Sequence, residues 1–111
     1  MQSFRNSAHD MAYLGNICDA ASANKGPAYN TIMDHAGRLY ERSFQRHIAA
    51  TNRWDRIARK NATGSQISDI LDHQDYIRDN AYEAGNKHFA TLIGNKRPVT
   101  NADVKYLKNR D

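Results

Sequence analysis

The chain has few of the residues that cross-link small folds or interrupt helices. Among its 111 residues there are one cysteine and two prolines. Cys18 has no partner for an internal disulfide, so an apolar core must hold the fold, and a lone thiol fits a reducing compartment. The first ten residues contain no apolar leader, and we therefore expect a cytoplasmic protein.

Long apolar runs and strand patterns are also lacking. No run approaches the roughly 18 apolar residues that a membrane span needs, so we expect no membrane partner. β-branched residues never alternate over a useful length, which argues against strands. Hydrophobic residues make up 40% of the chain and charged residues 25%, which is typical of a folded globular domain. The sequence therefore predicts a single all-α domain over residues 1–111.

Apolar residues recur at spacings of three and four, which indicates amphipathic helices. Gly26, in a left-handed conformation, would end the first helix, and Ser65 and Thr100 would cap the third and fourth. A kink in the second helix would fall at residues 50–52, because Thr51 and Asn52 favour caps over helix interiors. The four predicted helices cover about residues 4–23, 27–60, 66–93 and 101–109.

A short turn at residues 61–64 should join the two long helices into an antiparallel hairpin. We expect the first helix to pack into its groove, giving a three-helix bundle with a short C-terminal fourth helix. The second helix would be about 50 Å long. Because the first helix is too short to cover it, either the second helix bends or another chain covers part of the hairpin. The predicted core near the turn consists of Ile48, Trp54, Ile57, Ile67, Ile70 and Leu71.

Charge is segregated by sign between the two long helices. Residues 36–61 carry seven cations against two anions, whereas residues 62–93 carry five anions against two cations. At about 100° per residue, six cations of the second helix fall within a sector of about 80° that contains no acid. This basic stripe consists of Arg38, Arg42, Arg46, Arg53, Arg56 and Lys60.

The third helix carries acids opposite its apolar face, accompanied by Tyr76 and Tyr82 as candidate contact residues. Like charges four residues apart cost a few tenths of a kcal/mol each, which a mixture of signs would avoid. Ordinary solvated helix backs are one interpretation of both stripes, and partner-binding surfaces are the other. The acidic stripe consists of Asp69, Asp72, Asp75, Asp79 and Glu83.

Two functional hypotheses follow from the stripes. The favoured one is a non-catalytic protein-binding module, of the inhibitor, adaptor or assembly-subunit type. Its partner would be a protein with an acidic surface, or the acidic stripe of another copy. The alternative is a nucleic-acid-binding protein, because the planar fork of arginine bonds two phosphate oxygens at once.

A small metal-dependent hydrolase is a remote third hypothesis, suggested by adjacent histidines and aspartates. Adjacent residues point about 100° apart on a helix, so such pairs do not converge on one ion. Only one pair has the His-Asp order that HD-type phosphohydrolases use, and no histidine precedes it. We therefore predict no catalytic residue, no metal ligand and no cofactor. The pairs are His9-Asp10, Asp34-His35 and Asp72-His73.

Overall fold

The computed structural model of the chain describes residues 2–105 and residue 107. Within this part of the chain there is no strand, which confirms the all-α prediction. The molecule is elongated, with extents of 55 × 22 × 20 Å. None of the helices in the described part is both long and apolar enough to cross a bilayer. The helices are α1 (Gln2–Ala23), α2 (Tyr29–Asn61), α3 (Gly64–Leu92) and α4 (Asn101–Lys105).

Helix boundaries depart from the predictions at two caps. The N-cap of α3 is Thr63 and not Ser65, because the Thr63 backbone N–H donates to Oε1 of Gln66 at 3.0 Å in a capping box. Gly26 does not have a positive φ. The connection between α1 and α2 turns instead through a hydrogen bond from the Tyr29 N–H to the carbonyl of Gly26, at 3.1 Å. The helix α2 is continuous through residues 50–52. Residues 106 and 108–109 of the predicted fourth helix lie outside the described residues.

The first helix is the centre of the bundle. It lies between α2 and α3 and contacts both extensively, whereas α2 and α3 make few direct contacts with each other. The predicted three-helix bundle with a short fourth helix is thus confirmed, and α1 lies in the groove between α2 and α3 and supplies most of the contacts of each. The buried residues of α1 cover well over half of its circumference, about 220° at 100° per residue. They are Phe4, Ser7, Ala8, Asp10, Tyr13, Leu14, Ile17 and Ala21.

The apolar core predicted near the turn is wrong in its membership. The side chains of Ile48 and Ile57 are 42% and 58% exposed. At 100° per residue they stand on opposite flanks of Trp54, off the inward face. Phe4 of α1 takes the central place and packs with Ala50 and Ile77. Its ring meets the half-buried ring of Trp54 edge-on, with centroids 4.9 Å apart.

A second and larger apolar cluster fills the other end of the bundle, where α4 packs. Tyr13 links α1 to α4, because its hydroxyl donates a hydrogen bond to the backbone carbonyl of Asp103 at 2.9 Å. The cluster consists of Tyr13, Leu14, Ile17, Ala21, Ile32, Ala36, Ile93, Val104 and Leu107.

A buried carboxylate fixes the segment that leads into α4. Arg97 donates two hydrogen bonds to Asp103, at 2.9 and 2.8 Å, and the Thr100 backbone N–H donates a third at 2.8 Å. Burial acts to raise the pKa of Asp103, but the hydrogen bonds from Arg97 and Thr100 outweigh it and hold that pKa below its usual range. Thr100 therefore precedes α4 as predicted, with its backbone bonded to the third residue of the helix.

One glycine allows α3 to approach the backbone of α1. A Cβ atom built on Gly85 would lie 2.3 Å from the carbonyl oxygen of His9 and 2.9 Å from the Cβ of Ala12. The nearest obstacle is backbone, which cannot swing aside like the end of a side chain. Gly85 is buried, and its missing side chain sets the distance between these two helices.

We predict that Gly85→Ala lowers the free energy of unfolding by about 1–3 kcal/mol, the usual cost of overpacking. The better helix propensity of alanine does not offset the clash with His9. Gly37→Ala is the matched control, because nothing lies within 4 Å of a Cβ there and alanine should stabilise the helix by about 0.5–1 kcal/mol. Urea unfolding followed by circular dichroism measures both. Shifts of the same sign in the two variants would contradict the close packing.

Candidate partner-binding surfaces

The basic stripe lies on the outer side of α2. Arg38, Arg42, Arg53, Arg56 and Lys60 are exposed and Arg46 is half-buried. Because α2 is unbroken, the stripe extends for about 33 Å without interruption.

The acidic stripe lies on the outer side of α3, and all five of its carboxylates are exposed. Asp75 accepts a hydrogen bond from Arg78 at 2.9 Å. Tyr76 is 63% exposed and falls within the sector of the acids. Tyr82 is half-buried instead, with its ring centroid 6.4 Å from that of His47. The structure therefore groups Tyr76 with the acidic stripe and turns Tyr82 toward α2.

An apolar groove runs between α1 and α2 beside the basic stripe. This α1–α2 groove has a volume of about 180 Å³ and is lined by Ser3, Phe4, Ala50, Arg53, Trp54 and Ile57. Arg53 belongs both to the stripe and to the groove. Sequence reasoning missed the groove because Phe4 comes from another helix, and no local pattern reveals that contact.

A second groove runs between α1 and α3 on the side of Tyr76. This α1–α3 groove has a volume of about 450 Å³ and combines apolar residues, among them Ile77, Ala81 and Ala84, with polar ones such as Arg5 and His73. Tyr76 belongs to both the groove and the sector of the acidic stripe. Each charged stripe therefore borders a groove that has α1 as its other wall.

Between the two apolar clusters lies a layer of buried polar groups centred on His47. Ser7 Oγ donates to the carbonyl of Phe4 at 3.0 Å, so this oxygen accepts the proton of His47 Nδ1 across 2.9 Å. On the other side of the ring, Nε of Arg78 donates to His47 Nε2 at 2.9 Å. The network therefore assigns a neutral imidazole with its proton on Nδ1.

The surroundings of His47 oppose its protonation. Burial, followed by the positive charge of Arg78, lowers the pKa of His47 below its ordinary value. A second proton would also remove the acceptor that Arg78 uses. The three helices are thus joined by hydrogen bonds that require His47 to be neutral.

The pair His9-Asp10 forms another part of this layer. Nδ1 of His9 lies 2.7 Å from Oδ1 of buried Asp10, and its Nε2 lies 3.1 Å from Nδ1 of His88. Both ring nitrogens of His9 are therefore engaged inside the protein. Within the described residues, no group of three or more His, Cys, Asp or Glu side chains is arranged to hold a metal ion.

The two charged stripes and the grooves beside them are the main surface features of the described residues. Comparisons of the chain with models of known protein families, with curated proteins and with solved structures found no match. A proposal of function therefore rests on the chemistry of the stripes and grooves.

We predict that stability falls as the pH is lowered below about 6.5, the ordinary pKa of histidine. The unfolded chain binds a proton at His47 more readily than the folded chain does. The contribution of neutral His47 to the free energy of unfolding is therefore complete above this pH. It declines as the pH falls toward the lowered folded pKa and is constant below it. The measurement is the free energy of unfolding in urea across this range.

His47→Gln should flatten this pH dependence, whatever its effect on stability at neutral pH. His73→Gln is the matched control, because His73 is exposed on α3 and its removal should leave the slope as in the wild type. An unchanged slope in His47→Gln would show that another group causes the loss of stability.

Proposed function

We propose that this protein is a non-catalytic protein-binding module whose basic stripe and α1–α2 groove together take an acidic, amphipathic helix of a protein partner. The observation that carries the proposal is the position of Arg53, which lies on the stripe and also lines the groove. Ile57, four residues on and 58% exposed, is an apolar contact residue beside the same cations. Inhibitors, adaptors and assembly subunits all use surfaces of this kind.

The two parts of the surface have different tasks. An exposed ion pair contributes only about 0–1 kcal/mol, so the arginines set the orientation and rate of binding. The groove supplies the affinity, because covering Ile57 and the open side of Trp54 removes apolar surface from water. A helix with apolar residues at helical spacing and glutamates beside them matches both parts.

The interior histidines support a non-catalytic role. Both ring nitrogens of His9 and of His47 are engaged in contacts within the protein. Neither imidazole has a nitrogen left over to move a proton of a substrate. Their contacts hold the helices together, which is the task of a scaffold.

The nucleic-acid alternative is supported by the length and arginine content of the basic stripe. Six cations along about 33 Å would follow a phosphate backbone. A protein partner is favoured because phosphates gain nothing from the apolar groove or from an exposed Ile57.

A synthetic helical peptide of glutamate, alanine and leucine, with leucines at positions i, i+3 and i+7, should bind and shift the emission of Trp54 to shorter wavelength. Trp54 is the single tryptophan of the chain and lines the groove, so a tryptophan-free peptide gives a direct readout. Ile57→Ser should weaken binding by about tenfold or more. Arg59→Ala should bind as the wild type, because Arg59 is exposed but lies outside the stripe.

A second peptide, with glutamines in place of the leucines, separates groove from charge. It keeps every glutamate, so pure charge attraction would bind both peptides equally. We expect at least about tenfold weaker binding from the loss of the apolar side chains. Equal affinities would discard the groove as a binding site.

The nucleic-acid alternative makes a different prediction for salt. Affinity for duplex DNA should fall steeply with salt, with a log–log slope near −5 for about six phosphate contacts. Arg42→Ala and Arg53→Ala should each flatten that slope by about one unit. Fluorescence anisotropy of a labelled duplex measures the affinity at each salt concentration. If neither substitution changes the affinity or its salt dependence, this alternative is discarded.

A further inference from the structure

The chain carries a complement to its own basic surface. Resting on the function proposed above, we propose that the acidic partner is a second copy of this chain, with the α2 face of one copy packed on the α3 face of the next. The stripes have opposite signs, and each borders a groove that has α1 as its other wall.

Matching sequence patterns place the contact near the hairpin turn. On α2, cations stand at Arg53, Arg56 and Lys60, which are positions i, i+3 and i+7. On α3, acids stand at Asp72, Asp75 and Asp79, which have the same spacing. Both sets therefore span about 10 Å of helix. Two helices packed side by side bring such sets into register, one cation against one acid.

Each set also holds an exposed apolar residue at position i+4. On α2 it is Ile57 and on α3 it is Tyr76, with exposed fractions of 58% and 63%. These are the two most exposed large hydrophobic side chains in the described part of the chain. Residues three and four apart share a helix face, so each apolar side chain lies among the charges of its own set.

The grooves accommodate these apolar side chains in a complementary way. Ile57 of one copy faces the α1–α3 groove of the next, where it meets Ile77 and Ala81. Tyr76 of the next copy lies against Trp54 and the α1–α2 groove. Exposed charges alone would orient the two copies without giving tight affinity. The contacts of these apolar side chains supply the rest of the binding free energy.

Two stripes of one chain cannot form this contact with each other. The antiparallel hairpin holds α2 and α3 on either side of α1, and the basic stripe lies on the side of α2 opposite its hydrogen bonds to α3. The exposed charges of the two sets near the turn can therefore contact another molecule more easily than each other. Asp75 already bonds Arg78, which makes Asp72 and Asp79 the better positions for substitution.

Charge reversal on each face, followed by mixing, tests the inference. One variant carries Arg53→Glu with Arg56→Glu, and the other carries Asp72→Lys with Asp79→Lys. In each variant the α2 set and the α3 set near the turn then carry net charge of the same sign, so it should remain monomeric at concentrations where the wild type associates. An equimolar mixture should associate again, because every basic face then has an acidic one. Light scattering at low ionic strength, from micromolar to millimolar protein, measures the mass.

The matched control is the double variant Arg59→Glu with Lys96→Glu. It lowers the net charge by as much as the double arginine variant does, but both positions lie outside the basic stripe. This control should associate as the wild type does. Ile57→Ser should weaken association about tenfold or more, with every charge kept. A wild type that stays monomeric throughout, or a mixture that does not associate, overturns the inference. If the leucine–glutamate peptide still binds such a monomer, the proposed function stands without self-association, and if it does not, both fail.

Discussion

The packing of α1 between α2 and α3 is the constraint on which the rest of the structure depends. Because α2 and α3 approach each other closely at few points, each is positioned mainly by its packing against α1. Gly85 brings α3 against the backbone of His9, and on α2 the small buried residues Ala36 and Ala50 belong to the clusters that contain α1 side chains. The positions of both charged faces are therefore set by a helix that carries little of the charge itself.

The grooves arise from the same arrangement. The helix α1 has 22 residues and α2 has 33, so the hairpin continues beyond the end of α1. Where α1 begins, Phe4 fills only part of the space between the flanking helices, and Trp54 stays half-buried. The core thus ends in apolar surface beside the charged stripes. This combination separates the protein from an ordinary amphipathic bundle, whose charged faces would be far from any apolar cleft.

The stripes were predictable from the sequence, whereas the contacts between helices near the turn were not, for one physical reason. The side on which Arg53 or Asp79 lies depends only on the regular turn of a helix, and the hydrophobic pattern of α2 and α3 set that phase. The position of α1 in the bundle depends on its contacts with the other helices. Because α1 also buries the polar residues Ser7 and Asp10, its apolar residues alone do not define the surface that it buries. His47 and Arg78 lie 31 residues apart in the chain, so no local pattern links them. The groove was hidden for the same reason, since Phe4 and Trp54 meet only after folding.

The buried polar layer also determines the register in which the helices meet. A slide of α1 along its neighbours by one helical turn would break both its close packing and its polar contacts, because Gly85 would no longer lie against the backbone of His9. Such a slide of about 5.4 Å would carry Ser7 away from His47 and leave buried hydrogen-bonding atoms without partners, at a cost of about 1–3 kcal/mol each. The polar layer and the close approach at Gly85 together favour one alignment of the three helices, and with it one spacing between the two charged faces.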